Sequence, residues 1–189
     1  MKKAAFFHGT NDGPETNWYP WFVNEITAKG YKVFAPLLPN NHTPDRKVYE
    51  EFVKNSGWEF NDNLLIGHSS GATTILNLLQ ADWFPKVKAS VLVSTFLNEK
   101  LTKDADWVDP GQFDGLFLSQ YNPVELTKKC SKFYFVHGSD DPFCDIEDVK
   151  LLCQKVNGSL TVIENGHHLG STWGRKEFPQ LLQVIESEI

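Results

Sequence analysis

Short apolar runs alternate with segments of helical period from one end of the chain to the other, and few folds accommodate that alternation. The runs fall at 3–7, 31–35, 62–66, 88–94, 132–136 and 159–163, all rich in β-branched, aromatic or leucine residues. Each is too short for a helix, and near-continuous apolarity marks strands covered on both faces. Parallel strands require crossover connections, which the intervening segments supply as helices. Ala72, Ile75, Leu78 and Leu79 form one helical stripe. Ile146, Val149, Cys153 and Val156 form a second, and Phe178, Leu181, Leu182, Ile185 and Ile189 a third. Thr43 is expected to cap a helix that starts at Pro44, with Gly30 and Ser56-Gly57 ending the first two helices. The expected architecture is a three-layer α/β sandwich with about six parallel strands.

At 189 residues the chain fits one domain, 1–189. Only 95–121 breaks the alternation, with Pro110-Gly111 and several aromatics. Irregular stretches longer than about 12–15 residues are usually functional, so this excursion is expected to act as a small lid.

Charge narrows the partners. The 18 Lys and Arg against 24 Asp and Glu leave a formal net charge of −6, the wrong sign for phosphate backbones or anionic membranes. No nucleic acid partner and no membrane insertion are expected. The start lacks a signal-type apolar region, and Cys130, Cys144 and Cys153 are odd in number without C-x-x-C spacing. Reduced thiols in a cytoplasmic protein are the expectation, with no disulfide framework. No spacing typical of metal ligands occurs, so no metal is expected.

Gly67-His68-Ser69-Ser70-Gly71 fits G-x-S-x-G, a strand-to-helix turn that exposes a serine hydroxyl. Three fixed positions recur by chance in about one chain in fifteen, but here a strand candidate precedes the motif and a helical stripe follows it. A serine needs a base, and the base an orienting carboxylate. His137-Gly138-Ser139-Asp140-Asp141-Pro142 follows the fifth strand, and Glu164-Asn165-Gly166-His167-His168 the sixth. Strand carboxyl ends share one sheet edge, so both segments converge on Ser69. Either aspartate and either histidine could serve. Asp141 is assigned because Pro142 favours a turn there, and His167 because Gly166 can aim its ring. The oxyanion donors are assigned to the N–H groups of Ser70 and of Thr10, in the loop after the first strand, with Asn11 as the second choice in that loop. His8 and His68 receive no catalytic role, and Cys144 is read as a packing residue. Trp18, Phe96, Trp107, Phe113 and Trp173 are candidates for a substrate pocket.

With these motifs the sequence resembles the α/β-hydrolase superfamily, and within it small serine hydrolases of the retinoblastoma-binding and YdeN types. Further support comes from Trp18-Tyr19-Pro20-Trp21, Gly30-Tyr31-Lys32-Val33 and Pro36-Leu37-Leu38-Pro39. The resemblance implies a shortened α/β-hydrolase sheet, no cofactor, and hydrolysis of an ester, thioester or amide bond in a small acyl substrate. Animal members carry Leu-x-Cys-x-Glu, whereas Leu151-Leu152-Cys153-Gln154-Lys155 ends in lysine, so no retinoblastoma-type partner is implied. A catalytically silent binding protein on the same fold is the alternative.

Overall fold

The computed structural model describes residues 1–103, 105–170, 172 and 174–188. Six parallel strands form one open sheet in the order β2-β1-β3-β4-β5-β6. They are β1 (Lys2–Phe7), β2 (Tyr31–Phe34), β3 (Leu64–His68), β4 (Ala89–Val93), β5 (Phe133–Gly138) and β6 (Ser159–Ile163). The helices are α1 (Tyr19–Ala28), α2 (Arg46–Asn55), α3 (Ser70–Gln80), α4 (Pro123–Lys129), α5 (Ile146–Lys155) and α6 (Pro179–Glu188).

Strand side chains alternate between two cores because successive residues point to opposite faces. Ala4, Phe6, Leu64, Ile66, Val91 and Val93 pack on one face with Tyr19, Phe22 and Ile26 of α1 and Leu181 and Ile185 of α6. Ala5, Phe7, Leu65, Leu92, Phe133 and Phe135 pack on the other with residues of α2, α3, α4 and α5. The expected three-layer α/β arrangement with six parallel strands is the one observed.

Local boundaries differ from the sequence reading. Helix α2 is capped by Asp45, whose carboxylate accepts the Val48 N–H at 3.0 Å, and not by Thr43. The shift is tertiary in origin: the Arg46 N–H donates to Gly115 O at 2.8 Å, and Asp45 packs so closely on Gly115 that a Cβ there would collide with its carboxylate. Strand β3 starts at Leu64 because Asp62 adopts a left-handed φ of 56° and donates its N–H to Lys86 O. Helix α4 escaped the sequence reading, although Asn122 caps it, Pro123 starts it, and Lys128 and Lys129 occupy its last turn.

The segment 95–121 contains turns but no helix or strand among its described residues. It is tied down by Asn77 Nδ2, which donates to Leu116 O at 2.8 Å, and by an apolar knot of Phe96, Phe113, Leu116 and Cys144. Among the described residues no helix is long and apolar enough to cross a membrane.

Candidate active site

The chain reverses direction across the sheet between β2 and β3, so β1 and β3 flank a switch point where parallel sheets open a crevice. Ser69 sits there between β3 and α3, with φ 55° and ψ −124°, a strained conformation for a side chain with a Cβ. Its neighbours explain how the turn is reached. A Cβ on Gly67 would lie 2.6 Å from Ala72 N, and one on Gly71 would lie 2.6 Å from His8 O and closer still to Phe7 O. The motif glycines therefore let α3 pack directly on the ends of β1 and β3.

Two aspartate–histidine pairs lie side by side at the ends of β5 and β6. Asp141 meets His168, with Nδ1 at 3.0 Å from Oδ1 and 2.9 Å from Oδ2. Asp140 instead accepts the His167 N–H at 2.9 Å and faces His167 Nδ1 at 2.7 Å, with both side chains substantially exposed. The sequence assignment paired Asp141 with His167; the geometry pairs it with His168. The cause is Gly138, because a Cβ there would collide with His167 O and lie 2.8 Å from His167 N. Residue 167 thus lays its backbone on β5 and turns its ring outward, and the next residue turns inward.

Asp141 Oδ1 also accepts the N–H groups of Phe143 at 2.9 Å and Cys144 at 3.1 Å. Burial by itself raises a carboxyl pKa, but the His168 contact and the Phe143 N–H outweigh it, so Asp141 stays below its ordinary value. An ionised Asp141 accepts the Nδ1–H of His168, which makes Nε2 the acceptor nitrogen of that ring.

Thr10 follows β1, and its hydroxyl donates to Ser70 Oγ at 2.9 Å. Among the described residues neither the Thr10 N–H nor the Ser70 N–H has a hydrogen-bond acceptor. A buried chain then ties three loops together. His68 Nε2–H donates to His168 O at 2.8 Å, Tyr19 Oη lies 2.7 Å from His68 Nδ1, and it lies 2.9 Å from Asp12 Oδ2. The single phenolic hydrogen has two acceptors and serves one at a time.

Burial, with a smaller contribution from the charge of His168, pushes His68 down to about 3. A histidine kept neutral in the folded state binds its proton in the unfolded chain first, so stability falls as the pH drops from 6.5 towards 3. The expected slope for this group is roughly 1.4 kcal/mol per pH unit in that window. Urea unfolding at pH 7 and at pH 4.5 measures it, and His68→Gln should flatten the dependence; an unchanged slope in that variant would refute the assignment.

Ser69 and His168 line the same cleft, of about 350 Å³, within the size range of small-molecule sites. Phe96, Trp107 and Phe113 form part of its wall, together with Thr10. Trp18 does not: it is fully buried, donates from Nε1 to Leu169 O at 2.8 Å, and packs on Phe6 and Phe178. Trp173 lies outside the described residues. The sequence reading missed Phe143, whose ring stands 4.9 Å from both His168 and Trp107, and the polar residues Asp12 and Asn17; Asn11, the second choice for an oxyanion donor, also lines the cleft. A position two residues after Asp141 was the available signal for Phe143. Thr102 also lines the cleft, and its buried hydroxyl has no partner among the described residues.

The chain is similar to the serine hydrolase RBBP9 of Rattus norvegicus, at 20% identity over 181 residues that cover 95% of this chain and 90% of that one. The ydeN gene product of B. subtilis superimposes with a TM-score of 0.86 at 19% identity, covering 99% of this chain and 98% of that one. A carboxylesterase structure from the thaumarchaeon Nitrososphaera gargenis gives a TM-score of 0.76 at 14% identity, covering 98% and 90%. These likenesses establish an α/β-hydrolase fold. The model of the family described as serine hydrolase matches residues 5–187, nearly the whole sheet together with the Ser69 turn and both aspartate–histidine pairs, and the chain belongs to that family.

Proposed function

We propose that the protein cleaves an ester, thioester or amide bond of a small substrate through an acyl-enzyme, with Ser69 as nucleophile. His168 Nε2 takes the Ser69 proton as Oγ attacks the carbonyl carbon, and the Ser70 and Thr10 N–H groups hold the oxyanion. The protonated ring, stabilised by Asp141, gives its proton to the leaving group as the carbonyl–leaving-group bond breaks. Water then attacks the acyl-enzyme, its proton passing through His168, and the acid departs. The observation that carries this reading is the contact of Asp141 with His168 on the same cleft as a serine held in a strained turn. The family match and the carboxylesterase-type fold neighbours favour a carboxylesterase-like activity. Segment 95–121 acts as a lid whose aromatic side chains meet the apolar part of the substrate.

A fluorophosphonate probe should label one site per chain and label nothing in Ser69→Ala. Equal labelling in that variant would sink the assignment.

A further inference from the structure

We propose that a thiophilic divalent cation such as Zn²⁺ binds behind the candidate triad, on His137 Nε2, Asp141 Oδ2 and Cys144 Sγ, and switches hydrolysis off. The three ligand atoms lie within 4.8 Å of one another. His137, the penultimate residue of β5, is fully buried, and its Nδ1 lies 2.9 Å from Gly138 O. A carbonyl only accepts, so Nδ1 carries the hydrogen and Nε2 keeps its lone pair.

That lone pair has no hydrogen-bond partner among the described residues. It lies 3.9 Å from Asp141 Oδ2, a carboxylate oxygen that is itself an acceptor. Two acceptors facing each other in a buried site are unfavourable unless something electropositive lies between them. The gap is too wide for a hydrogen bond, yet it is within the span of two metal–ligand bonds of about 2.0–2.2 Å each.

Cys144 completes the set. Its thiol donates to Ser94 O at 3.3 Å, and Sγ stands 3.8 Å from His168 Nδ1. Imidazole, carboxylate and thiolate together suit Zn²⁺ or Cd²⁺ and not Mg²⁺ or Ca²⁺, which prefer oxygen ligands throughout. The thiol carries its hydrogen in the contact with Ser94 O, so binding forms a metal–sulfur bond and releases that proton to the buffer. Positions 137, 141 and 144 match no zinc-motif spacing, which is why the sequence conceals the site.

Silencing rests on the reading of His168 as the base; binding does not. A cation held by Asp141 withdraws the carboxylate from His168 and adds positive charge beside the ring that must become positive. Neither His137 nor Cys144 lines the cleft.

Equilibrium dialysis against ZnCl₂ alone should yield one ion per chain, lost in Cys144→Ser and in His137→Gln, with Mg²⁺ not taken up. Cd²⁺ added to the unaltered protein should produce a thiolate-to-metal charge-transfer band, a readout that needs no variant to fold. Zn²⁺ should slow fluorophosphonate labelling of the wild type, reversibly with EDTA, and leave labelling of Cys144→Ser unchanged. No stoichiometric uptake, which would mean a buried water only, overturns the site. So does Cd²⁺ uptake without the band, or Zn²⁺ inhibition that persists in Cys144→Ser. Uptake that depends on Cys144 in a protein that never labels would overturn the serine chemistry and leave the cation site standing.

Discussion

His168→Ala is expected to lower kcat/KM by about four orders of magnitude, while His167→Ala stays within a few-fold of wild type. The contrast follows from placement. The inner ring lines the cleft and shares the buried Asp141, whereas the outer ring and Asp140 form an exposed pair of the kind that contributes about 0–1 kcal/mol. Asp141→Asn should cost a similar factor of about 10⁴ in kcat, because an amide no longer enforces the tautomer that leaves Nε2 as acceptor. Groups that act as a unit are not additive, so Ser69→Ala combined with His168→Ala should be scarcely worse than either alone. Steady-state rates on p-nitrophenyl acetate across these variants decide the point. An inactive His167→Ala beside an active His168→Ala would reverse the assignment.

Gly71→Ala should destabilise the fold by about 3 kcal/mol or more, at the upper end of overpacking effects. The added methyl has no flexible neighbour to displace. It meets the carbonyls of Phe7 and His8 at the end of β1, so either α3 lifts or β1 shifts. Both movements separate the Ser69 turn from the Thr10 loop, and activity should fall even in the fraction that folds. Gly30→Ala provides the comparison, since a Cβ there meets nothing within 4 Å and the cost is confined to its φ of 87°. Urea midpoints of the two variants measure the difference; equal midpoints would show that α3 can move freely against β1.

The centre of the sheet was readable because β3, β4 and β5 are buried on both faces, so apolarity alone marks them; the edge strands β2 and β6 are only partly buried and stood out by their β-branched and aromatic residues. Ser69 was readable for a different reason: the turn that exposes it demands small residues at fixed offsets, and Gly67 and Gly71 answer to backbone clashes that any sequence in this turn must avoid. The choice between His167 and His168 was not legible, because it depends on β5 backbone lying against residue 167 about thirty positions away in the chain. The flexibility of Gly166 was the wrong signal. The absent Cβ at Gly138 decides which ring faces inward, and its significance emerges only once β5 and β6 pair. Trp18 misled similarly. An aromatic beside the Ser69 turn, 5.9 Å from the His68 ring, can serve the core as readily as the cleft, and its Nε1 bond to Leu169 O settles the matter only in three dimensions.

That same bond bears on how the molecule assembles. It joins positions 151 apart in the chain, while the Thr10–Ser70 and His68–His168 contacts join positions 60 and 100 apart. Each doubling of loop length adds only about 0.6 kcal/mol of closure entropy, so these links are similar in entropic cost and none is local. The full set requires the first strand's loop and the segment after the sixth strand together, so no piece lacking either end of that span contains it. Hydrolysis recovered during refolding should therefore appear only after these distant segments have paired, later than the collapse of the chain.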